Sequence, residues 1–501
     1  MSLTQLSTRA QEGINAPEVN VEVHISNGLP AFTMVGLPEA AVREARDRVR
    51  SAIINSGFEF PARRITVNLA PADLPKEGGR YDLAIALGIL AASSQINAST
   101  LDQFDCYGEL ALSGECRPIA GLLPALISSK QQHKKVIIPH QNEPEASLIE
   151  GLTIFTSQSL AQICASLNGG HPLPQLEALD ARYTPHFECD LDEVYGQYQA
   201  RRALEIAASG AHHMIMMGPP GTGKSMLAQR LNTILPLMSE AEAMSSASIR
   251  SISHKPVNAD NWLQRPFQSP HHTVSGVALV GGGSNPKPGE ISLAHNGVLF
   301  LDELTEFDRK SIEVLREPLE TGKIHISRAA RQAEFPAQFQ LVAAMNPCPR
   351  GCDSIVSCDC SAEQLSRYRN KLSAPLMDRI DIQIELPRLQ SHELLNRKQV
   401  KQEASDVVRT RVTQTRAKQL QRQSCLNSRL TNHQIDHFCQ LDETSEKILM
   451  TAIDKLKLTA RSYHKLLKLA RTIADMADEK NIQKMHLLEA ISYRQQDKRP
   501  L

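Results

Sequence analysis

The stretch Met214–Ser225, MIMMGPPGTGKS, decides the fold of the middle of the chain. Its short apolar run predicts a buried strand, and the run after it predicts a helix. Strand, glycine-rich turn, Lys–Ser pair and helix in this order are typical of a phosphate-binding loop. Backbone N–H groups would surround phosphate oxygens, Lys224 would reach the outer phosphates, and Ser225 would give its hydroxyl to Mg²⁺. The predicted loop consists of Gly218, Pro219, Pro220, Gly221, Thr222, Gly223, Lys224 and Ser225.

The composition limits what surrounds this loop. A chain of 501 residues is long enough for about three domains. No run approaches the length of a membrane span, and the first residues, MSLTQLSTRAQ, lack the zones of a signal peptide, so we expect a cytoplasmic protein with no membrane partner. Lys plus Arg and Asp plus Glu both number 55, so any surface for nucleic acid has to be local.

Acidic side chains follow a second apolar run, Val298–Leu301, which predicts another buried strand. Acids at the carboxyl end of a parallel strand face the crevice where such sheets bind ligands. We expect Asp302 to hold Mg²⁺ through water and Glu303 to act as general base on the attacking water. An Asp–Glu pair alone supports these two roles only weakly, because acids often begin helices. The phosphate loop upstream strengthens the assignment.

A third strand, FQLVAAMN (339–346), ends in Asn346, which would orient the water or sense the γ-phosphate; a turn-capping role is the alternative. Farther along, Arg379 lies between Asp378 and Asp381. A guanidinium is permanently charged and forked, which suits a residue that reaches the nucleotide of a neighbouring subunit. Such an arginine finger implies a ring.

Several segments resemble the magnesium-chelatase-like branch of the AAA+ ATPases. They are GPPGTGKSMLAQRL, SPHHTVSGVALVGGGSNPKPGEISLAHNGVLFLDELTEF, LREPLETGKIHISRA, AEFPAQFQLVAAMNPCP and SAPLMDRIDI. With the first segment, described below, the chain is identified as a member of the ComM/YifB family. The resemblance implies a homohexameric, ATP- and Mg²⁺-dependent motor that drives branch migration of DNA, with recombination proteins as partners, in natural transformation.

The resemblance also assigns residues that spacing alone would not single out. Val194, Gly196 and Gln197 correspond to the segment where related ATPases pack the adenine. Arg461 corresponds to the second sensor arginine, which touches the γ-phosphate from a C-terminal helical lid.

Two insertions are candidates for DNA contact. GKIHISRAARQAEF alternates as two short strands around a turn. Related ring ATPases carry a pore hairpin here, so Lys323, Arg328 and Arg331 are expected to meet the phosphate backbone. The second insertion, residues 269–290, is too long for a plain connection and offers His271, His272 and Lys287, with a subunit-interface loop as the alternative.

Four cysteines, Cys348, Cys352, Cys358 and Cys360, follow the sensor strand in the pattern C-x3-C-x5-C-x-C. Clustered thiols in a cytoplasmic protein favour a metal site over disulfides. A structural Zn²⁺ is the favoured interpretation, and unliganded thiols are the alternative.

The first segment mixes strands with helices and predicts an independent α/β domain. GLPAFTMVGLPEAAVREARDRVRSAI and FPARRITVNLAPADLPKEGGRYDLAIALGIL resemble the Lon-protease-like domain. At the nucleophile position of the protease this chain has Arg80, and residues 120–125, AGLLPA, lack the partner lysine. A nucleophile needs a base to activate it, so we expect no proteolysis. The candidate phosphate-binding cations of this domain, whose alternative is a solvated surface, are Arg43, Arg46, Arg48, Arg50, Arg63, Arg64, Lys76 and Arg80.

The expected architecture is therefore α/β, with a Lon-like domain over residues 1–170, a linker over 171–189, a parallel-sheet AAA+ core over 190–388 and a helical lid over 389–501. In the lid, residues 396–423 predict a long exposed helix, and residues 458–477 predict a second helix capped by Thr459. A magnesium-chelatase type of ATPase chaperone and a nucleotide-dependent assembly protein remain alternatives to the DNA motor.

Overall fold

The computed structural model describes residues 2–37, 40–177, 187–257, 261–283, 285–327, 331–352, 358–388, 402–456 and 459–494. The chain divides into two compact units. One takes in residues 1–184, 247–262 and 329–335, and the other takes in 185–246, 263–328 and 336–501. Within the described ranges, no helix is both long enough and apolar enough to cross a membrane.

The first unit is built on a seven-stranded mixed sheet in the order β3-β4-β2-β1-β5-β8-β9. Every second residue of β2 is buried, as the alternating sequence predicts. The strands of this unit are β1 Ser2–Arg9, β2 Glu18–Ser26, β3 Ala31–Val35, β4 Arg64–Ala70, β5 Phe104–Cys106, β6 Glu109–Leu110, β7 Cys116–Arg117, β8 Lys135–Pro139 and β9 Ile154–Ser157.

Helices Ala40–Asn55 and Asp82–Ala92, together with the sheet, confirm the mixture of strands and helices predicted for this segment. Every residue of Asp82–Ala92 is buried, because the segment is almost wholly apolar. The other helices here are Leu122–Gln131, Glu143–Ala146 and Leu160–Leu167, and the 3₁₀ turns are Gly79–Tyr81, Leu101–Gln103 and His140–Asn142.

Arg80 is buried where the resemblance places the protease nucleophile. Its Nη2 donates to the carbonyl of Ala120 at 2.5 Å and to Gln11 Oε1 at 3.2 Å. In the protease, the nucleophile and its base come from the positions that correspond to Arg80 and to residues 120–125. These positions are neighbours here, because the Arg80 guanidinium contacts Ala120. Burial lowers the pKa of Arg80.

Several of the basic residues proposed for a DNA-facing surface have internal partners instead. Arg48 pairs with the buried carboxylate of Asp82 at 2.9 Å. Lys76 is fully buried and donates to the carbonyl of Pro71. With Arg80 these residues support the fold, whereas Arg63 and Arg64 are exposed. The side chain of Arg43 lies outside the described residues.

The second unit is built on a five-stranded parallel sheet in the order β11-β14-β17-β10-β18. Strand β14 has the predicted bounds, Val298–Leu301, and β17 ends one residue before Asn346. Strand β17 is Gln340–Met345, and the remaining strands of this unit are β10 Met214–Met217, β11 Phe267–Gln268, β12 Gly281–Gly282, β13 Lys287–Pro288, β15 Lys323–Ser327 and β18 Ile382–Glu385. Strand β16, Gln332–Pro336, lies almost wholly in the 329–335 segment of the first unit.

Helices surround this parallel sheet and continue to the end of the described chain. Those in the central segment are Tyr198–Gly210, Lys224–Ile234, Glu240–Ile252, Gly276–Val280, Glu290–Leu293, Arg309–Glu313, Pro318–Thr321, Ala362–Arg369 and Ala374–Met377. The C-terminal ones are Ser405–Gln423, Asn432–Phe438, Glu443–Leu456, Ala460–Met476 and Lys484–Ser492. The 3₁₀ turns are Leu191–Glu193, Leu304–Glu306, Val314–Arg316 and Asn427–Arg429.

The C-terminal helices share one hydrophobic core with the parallel sheet. Thr459 caps helix Ala460–Met476 by accepting a hydrogen bond from the Ser462 amide, as predicted. The helix predicted over 396–423 is confirmed for Ser405–Gln423, but the prediction that it is exposed was wrong for one face, where Val412 and Gln419 are fully buried. Residues 389–401 lie outside the described residues.

Candidate nucleotide-binding site

The phosphate loop lies between the carboxyl end of β10 and helix Lys224–Ile234. Gly221 and Gly223 have positive φ angles of 79° and 86°, a conformation that side chains disfavour. A Cβ on Gly218 would lie 2.6 Å from the carbonyl oxygen of Leu386. These glycines let the backbone turn tightly, which is what a loop needs in order to present its N–H groups to phosphate oxygens.

The Lys224 ammonium is held inside this loop. Its Nζ donates to the carbonyl oxygens of Gly218 at 2.7 Å and Pro219 at 2.9 Å, and lies 3.2 Å from Asn346 Oδ1. Burial lowers the pKa of Lys224, while the charges of Asp302 and Glu303 oppose the shift. The ammonium is therefore placed among oxygen acceptors that a phosphate group can replace.

Ser225 and Asp302 form the candidate Mg²⁺ site. Ser225 Oγ donates to Asp302 Oδ2 at 2.5 Å, and Asp302 Oδ1 accepts from the Glu303 amide at 2.9 Å. Mg²⁺ prefers oxygen ligands, and a hydroxyl beside a carboxylate at the mouth of a phosphate loop fits this preference. The donor set therefore suits the ion.

Glu303 has left-handed backbone angles, with φ at 51° and ψ at 46°. Its Oε2 lies 3.3 Å from Nδ1 of His272, and the carboxylate is more than half exposed. His272 comes from the long second insertion, which contains helix Gly276–Val280 and the small β12–β13 sheet. The sequence offered this histidine for DNA contact, and the structure places it beside the predicted general base.

Asn346 has a partner, Tyr368, that the sequence did not predict. The hydroxyl of Tyr368 donates to the Asn346 carbonyl at 3.1 Å and accepts from Thr305 Oγ1 at 2.7 Å. Thr305 follows Asp302 and Glu303 in the same loop. Tyr368 therefore joins the end of β17 to the acidic segment.

The predicted adenine segment reaches the phosphate loop through Gln197. Its Nε2 donates to the carbonyl oxygens of Pro387 at 2.8 Å and Thr222 at 3.5 Å. Gln197 has a positive φ of 48°, as does Gly196 at 62°, so the chain turns sharply before helix Tyr198–Gly210. Val194 is fully buried in the core of this unit. The segment is thus fixed in place beside the loop.

Arg379 and Arg461 lie near the amino ends of the parallel strands, whereas the phosphate loop lies at their carboxyl ends. Arg379 precedes β18, whereas the loop follows β10, and these strands are parallel neighbours. A strand of four residues spans about 13 Å. Glu320 pairs with Arg379 Nη2 at 2.7 Å through one oxygen and with Arg461 Nη2 through the other. The structure therefore groups Arg461 with Arg379 rather than with Lys224.

The four predicted cysteine ligands come together beside the phosphate loop. Their sulfur atoms all lie within 4.8 Å of one another. The amides of Cys352 and Cys360 donate to the sulfurs of Cys348 at 3.2 Å and Cys358 at 3.4 Å. A Cβ on Gly351 would lie 2.9 Å from Pro220, so the turn of the cluster packs against the loop.

The structure describes only some of the predicted DNA contacts. Lys323 begins β15 and is exposed, and Lys287 is exposed in β13. Arg331 forms an ion pair with Glu77 within the first unit. Arg328 lies outside the described residues. Among the described candidates, Lys323 and Lys287 are therefore exposed residues.

Comparisons with known proteins cover both units. Family models match residues 190–394, described as magnesium chelatase, subunit ChlI; 21–142, described as subunit ChlI of Mg-chelatase; and 402–494, described as its C-terminal part. The chain is 49% identical over 498 residues to competence protein ComM of Haemophilus influenzae and to YifB of Escherichia coli, covering 99% of this chain and 98% of each relative. Lon protease 2 of Bacillus subtilis is 25% identical over 179 residues, 31% of this chain and 32% of the protease.

Proposed function

The chain belongs to the ComM/YifB family of magnesium-chelatase-like AAA+ ATPases with a Lon-protease-like N-terminal domain, and from this premise we propose that it is a cytoplasmic DNA motor that hydrolyses ATP to drive branch migration of recombination intermediates. One observation carries the ATPase part of the proposal. Lys224, Asn346 and the Ser225–Asp302 pair meet at the carboxyl edge of a parallel sheet, where such folds bind nucleotides.

Lys224 is proposed to hold the outer phosphates, and Ser225 and Asp302 would hold Mg²⁺, which when bound would supply positive charge to the phosphates. Glu303 takes the proton of the attacking water, and Asn346 orients that water. Glycines 218, 221 and 223 bring the backbone close to the phosphates, and Gln197 fixes the adenine segment. The tight N–H-lined loop supports these roles because it offers donors where negative charge is bound.

Hydrolysis is proposed to require a neighbouring copy of the chain. Arg379 lies near the amino end of β18, whereas Lys224 lies beyond the carboxyl end of the parallel strand β10. The Arg379 guanidinium therefore cannot reach a nucleotide bound by its own chain without a large rearrangement. A heterologous contact between copies closes a ring, and six copies are proposed because family members are hexamers. Arg461 is proposed to act from the same surface as Arg379.

Lys323, Lys287 and the pore hairpin that includes Arg328 and Arg331 are proposed to grip DNA through its phosphates, which require charge without base specificity. Recombination proteins are the proposed partners, which fits a chain related to the competence protein ComM of Haemophilus influenzae. The Lon-like domain is proposed to have no protease activity, because Arg80 stands at the nucleophile position and no lysine follows in residues 120–125.

The cysteine cluster is proposed to bind one structural Zn²⁺. Four sulfurs at this spacing match a tetrahedral thiolate site, and amide donors to the sulfurs favour the thiolate form that zinc requires. Since the turn at Gly351 packs on Pro220, zinc would stiffen one wall of the phosphate loop.

Conversion of a labelled four-way junction tests the proposed function. Wild-type protein with ATP and Mg²⁺ is expected to convert the junction to product, and the Lys224→Ala variant is expected to leave it intact. A Lys310→Ala variant, which removes an exposed lysine outside the site, is the matched control. Equal conversion by wild type and Lys224→Ala would refute the motor, whereas ATP hydrolysis without DNA dependence would favour a chaperone of the chelatase type.

A further inference from the structure

Glu320 holds two arginines with one carboxylate. Its Oε2 pairs with Arg379 Nη2 at 2.7 Å, and its Oε1 pairs with Arg461 Nη2. The three residues belong to helix Pro318–Thr321, the segment before β18 and helix Ala460–Met476. The two guanidinium groups therefore lie side by side, although Arg461 and Glu320 are 141 residues apart.

This arrangement needs a counter-charge because the surroundings are strongly basic. The three residues line a cavity of about 1030 Å³, and its other cationic residues are Arg265, Arg416, Arg429, Lys465 and Lys468. Besides Glu320, only Glu242 and Asp381 supply acids to the described lining. Burial and the neighbouring Arg265 hold the pKa of Arg416 well below its usual range. Without the Glu320 carboxylate, the positive charges of Arg379 and Arg461 would repel each other and the other cations of this cavity.

Arg379 is already fixed at a second point. Its Nη1 donates to the Pro375 carbonyl at 2.7 Å, and its side chain is almost fully buried. Its buried Nε has no hydrogen-bond partner among the described residues. Arg461, in contrast, is nearly half exposed, so Glu320 is the contact that keeps it beside Arg379. The carboxylate therefore chiefly positions Arg461, the more exposed of the two arginines.

We propose that Glu320 is a positioning residue for ATP hydrolysis between subunits: its carboxylate aligns Arg379 and Arg461 so that both meet the γ-phosphate of the nucleotide bound to the neighbouring copy. The inference rests on the proposed function. A carboxylate with two oxygens stands in for the phosphate oxygens that the arginines meet in the ring. Partly exposed ion pairs are weak in water, so an arriving triphosphate can take over these contacts.

Two substitutions at Glu320 separate alignment from charge. Glu320→Ala removes both contacts, and Glu320→Asp keeps the charge on a shorter side chain. We expect Glu320→Ala to lower kcat about 10- to 100-fold, because misplacing a catalytic group by about 1 Å has an effect of this size. KM for ATP should stay near the wild-type value, since Lys224 and the loop are untouched. Glu320→Asp should recover part of kcat, and Glu317→Gln, an exposed neighbour, is the control.

Mixed rings provide the readout that a structural role would not change. Lys224→Ala lacks the nucleotide site but keeps the arginine surface, while Glu320→Ala keeps the nucleotide site. In a random equimolar mixture, about one interface in four combines an intact loop with an intact arginine surface. Each variant alone should be nearly inactive, and the mixture should regain about a quarter of wild-type ATPase activity.

The outcomes keep the inference and the proposed function apart. Wild-type protein without ATPase activity would refute the proposed function. If wild type is active, the inference is overturned by unchanged kcat in Glu320→Ala, by a rise in its KM with no recovery in the mixture, or by Glu317→Gln having the same effect. Should Glu320→Ala fail to fold, as judged by its thermal unfolding, Glu320→Gln replaces it in both measurements with the same expected results.

Discussion

Ser225 Oγ donates a hydrogen bond of 2.5 Å to Asp302 Oδ2, although 77 residues separate them in the chain. Ser225 is the second residue of the helix after β10, and Asp302 follows β14, with β17 between these strands in the sheet. The contact thus spans the carboxyl edge of the sheet. The contact brings the neutral Ser225 hydroxyl next to the charged Asp302 carboxylate. A divalent cation would be held by this pair of oxygen ligands.

Asp302→Asn is expected to weaken ATP binding only when Mg²⁺ is present. The amide keeps the shape and accepts hydrogen bonds, but it lacks the charge that orders the water shell of the ion. Loss of such an outer contact typically weakens metal binding about 10- to 100-fold. Titration of a fluorescent ATP analogue with Mg²⁺ and with EDTA measures both affinities. Asp308→Asn, at the N-cap of helix Arg309–Glu313, is the control because Asn caps as well as Asp. An equal loss of affinity in EDTA would contradict the metal role.

Glu303→Gln is expected to bind ATP normally and to hydrolyse it at least about 100-fold more slowly, because a general base contributes on this order. The amide keeps the side-chain shape next to His272 but cannot take a proton. Single-turnover measurement of ATP cleavage, with binding measured separately, tests this. Glu306→Gln, an exposed acid in the following 3₁₀ turn, is the comparison. Wild-type turnover in Glu303→Gln would remove it from the base role.

Purified protein is expected to contain one zinc per chain, and Cys352→Ser is expected to lose it. Three thiolates and a hydroxyl hold zinc much less well than four thiolates. Elemental analysis gives the metal content, and ATP affinity should fall with it because Gly351 packs against Pro220. Cys425→Ser changes a cysteine outside the cluster and should keep both properties. Wild-type protein free of zinc, or full zinc content in Cys352→Ser, would refute the site.

The sequence predicted the parts of this site that depend on local order. Strand, loop and helix around Lys224 follow from composition and spacing, and Asp302 is recognisable because it ends an apolar run. Glu320 was not recognisable, because its partners lie far away in sequence and an acid in PLETG looks like part of a solvated turn. Resemblance alone singled out Arg461, and only the fold shows that it lies with Arg379.

The helix Ser405–Gln423 shows why polar composition misled the prediction of exposure. Arg416 is buried, and its Nε donates to the carbonyl of Ala208 at 2.8 Å, while Gln419 donates to the carbonyl of Ser209 at 3.2 Å. These side chains satisfy carbonyl groups at the end of helix Tyr198–Gly210, which are open acceptors in any helix. A sequence reveals that polar residues are present, but it does not reveal which distant helix end they cap.

Acid is expected to destabilise the second unit through His295. Its Nδ1 accepts a hydrogen bond of 3.0 Å from the Gln338 amide, and burial lowers its pKa from 6.5 to about 4. Between these values the unfolded chain binds a proton that the folded chain does not, so the stability present above pH 6.5 is lost as the pH falls towards 4. The shift corresponds to about 3 kcal/mol. His295→Asn offers an acceptor oxygen that does not titrate. Thermal unfolding at pH 7.5 and 5.5 should therefore show a smaller drop in Tm for the variant than for wild type, whereas equal drops would assign the acid sensitivity to other groups.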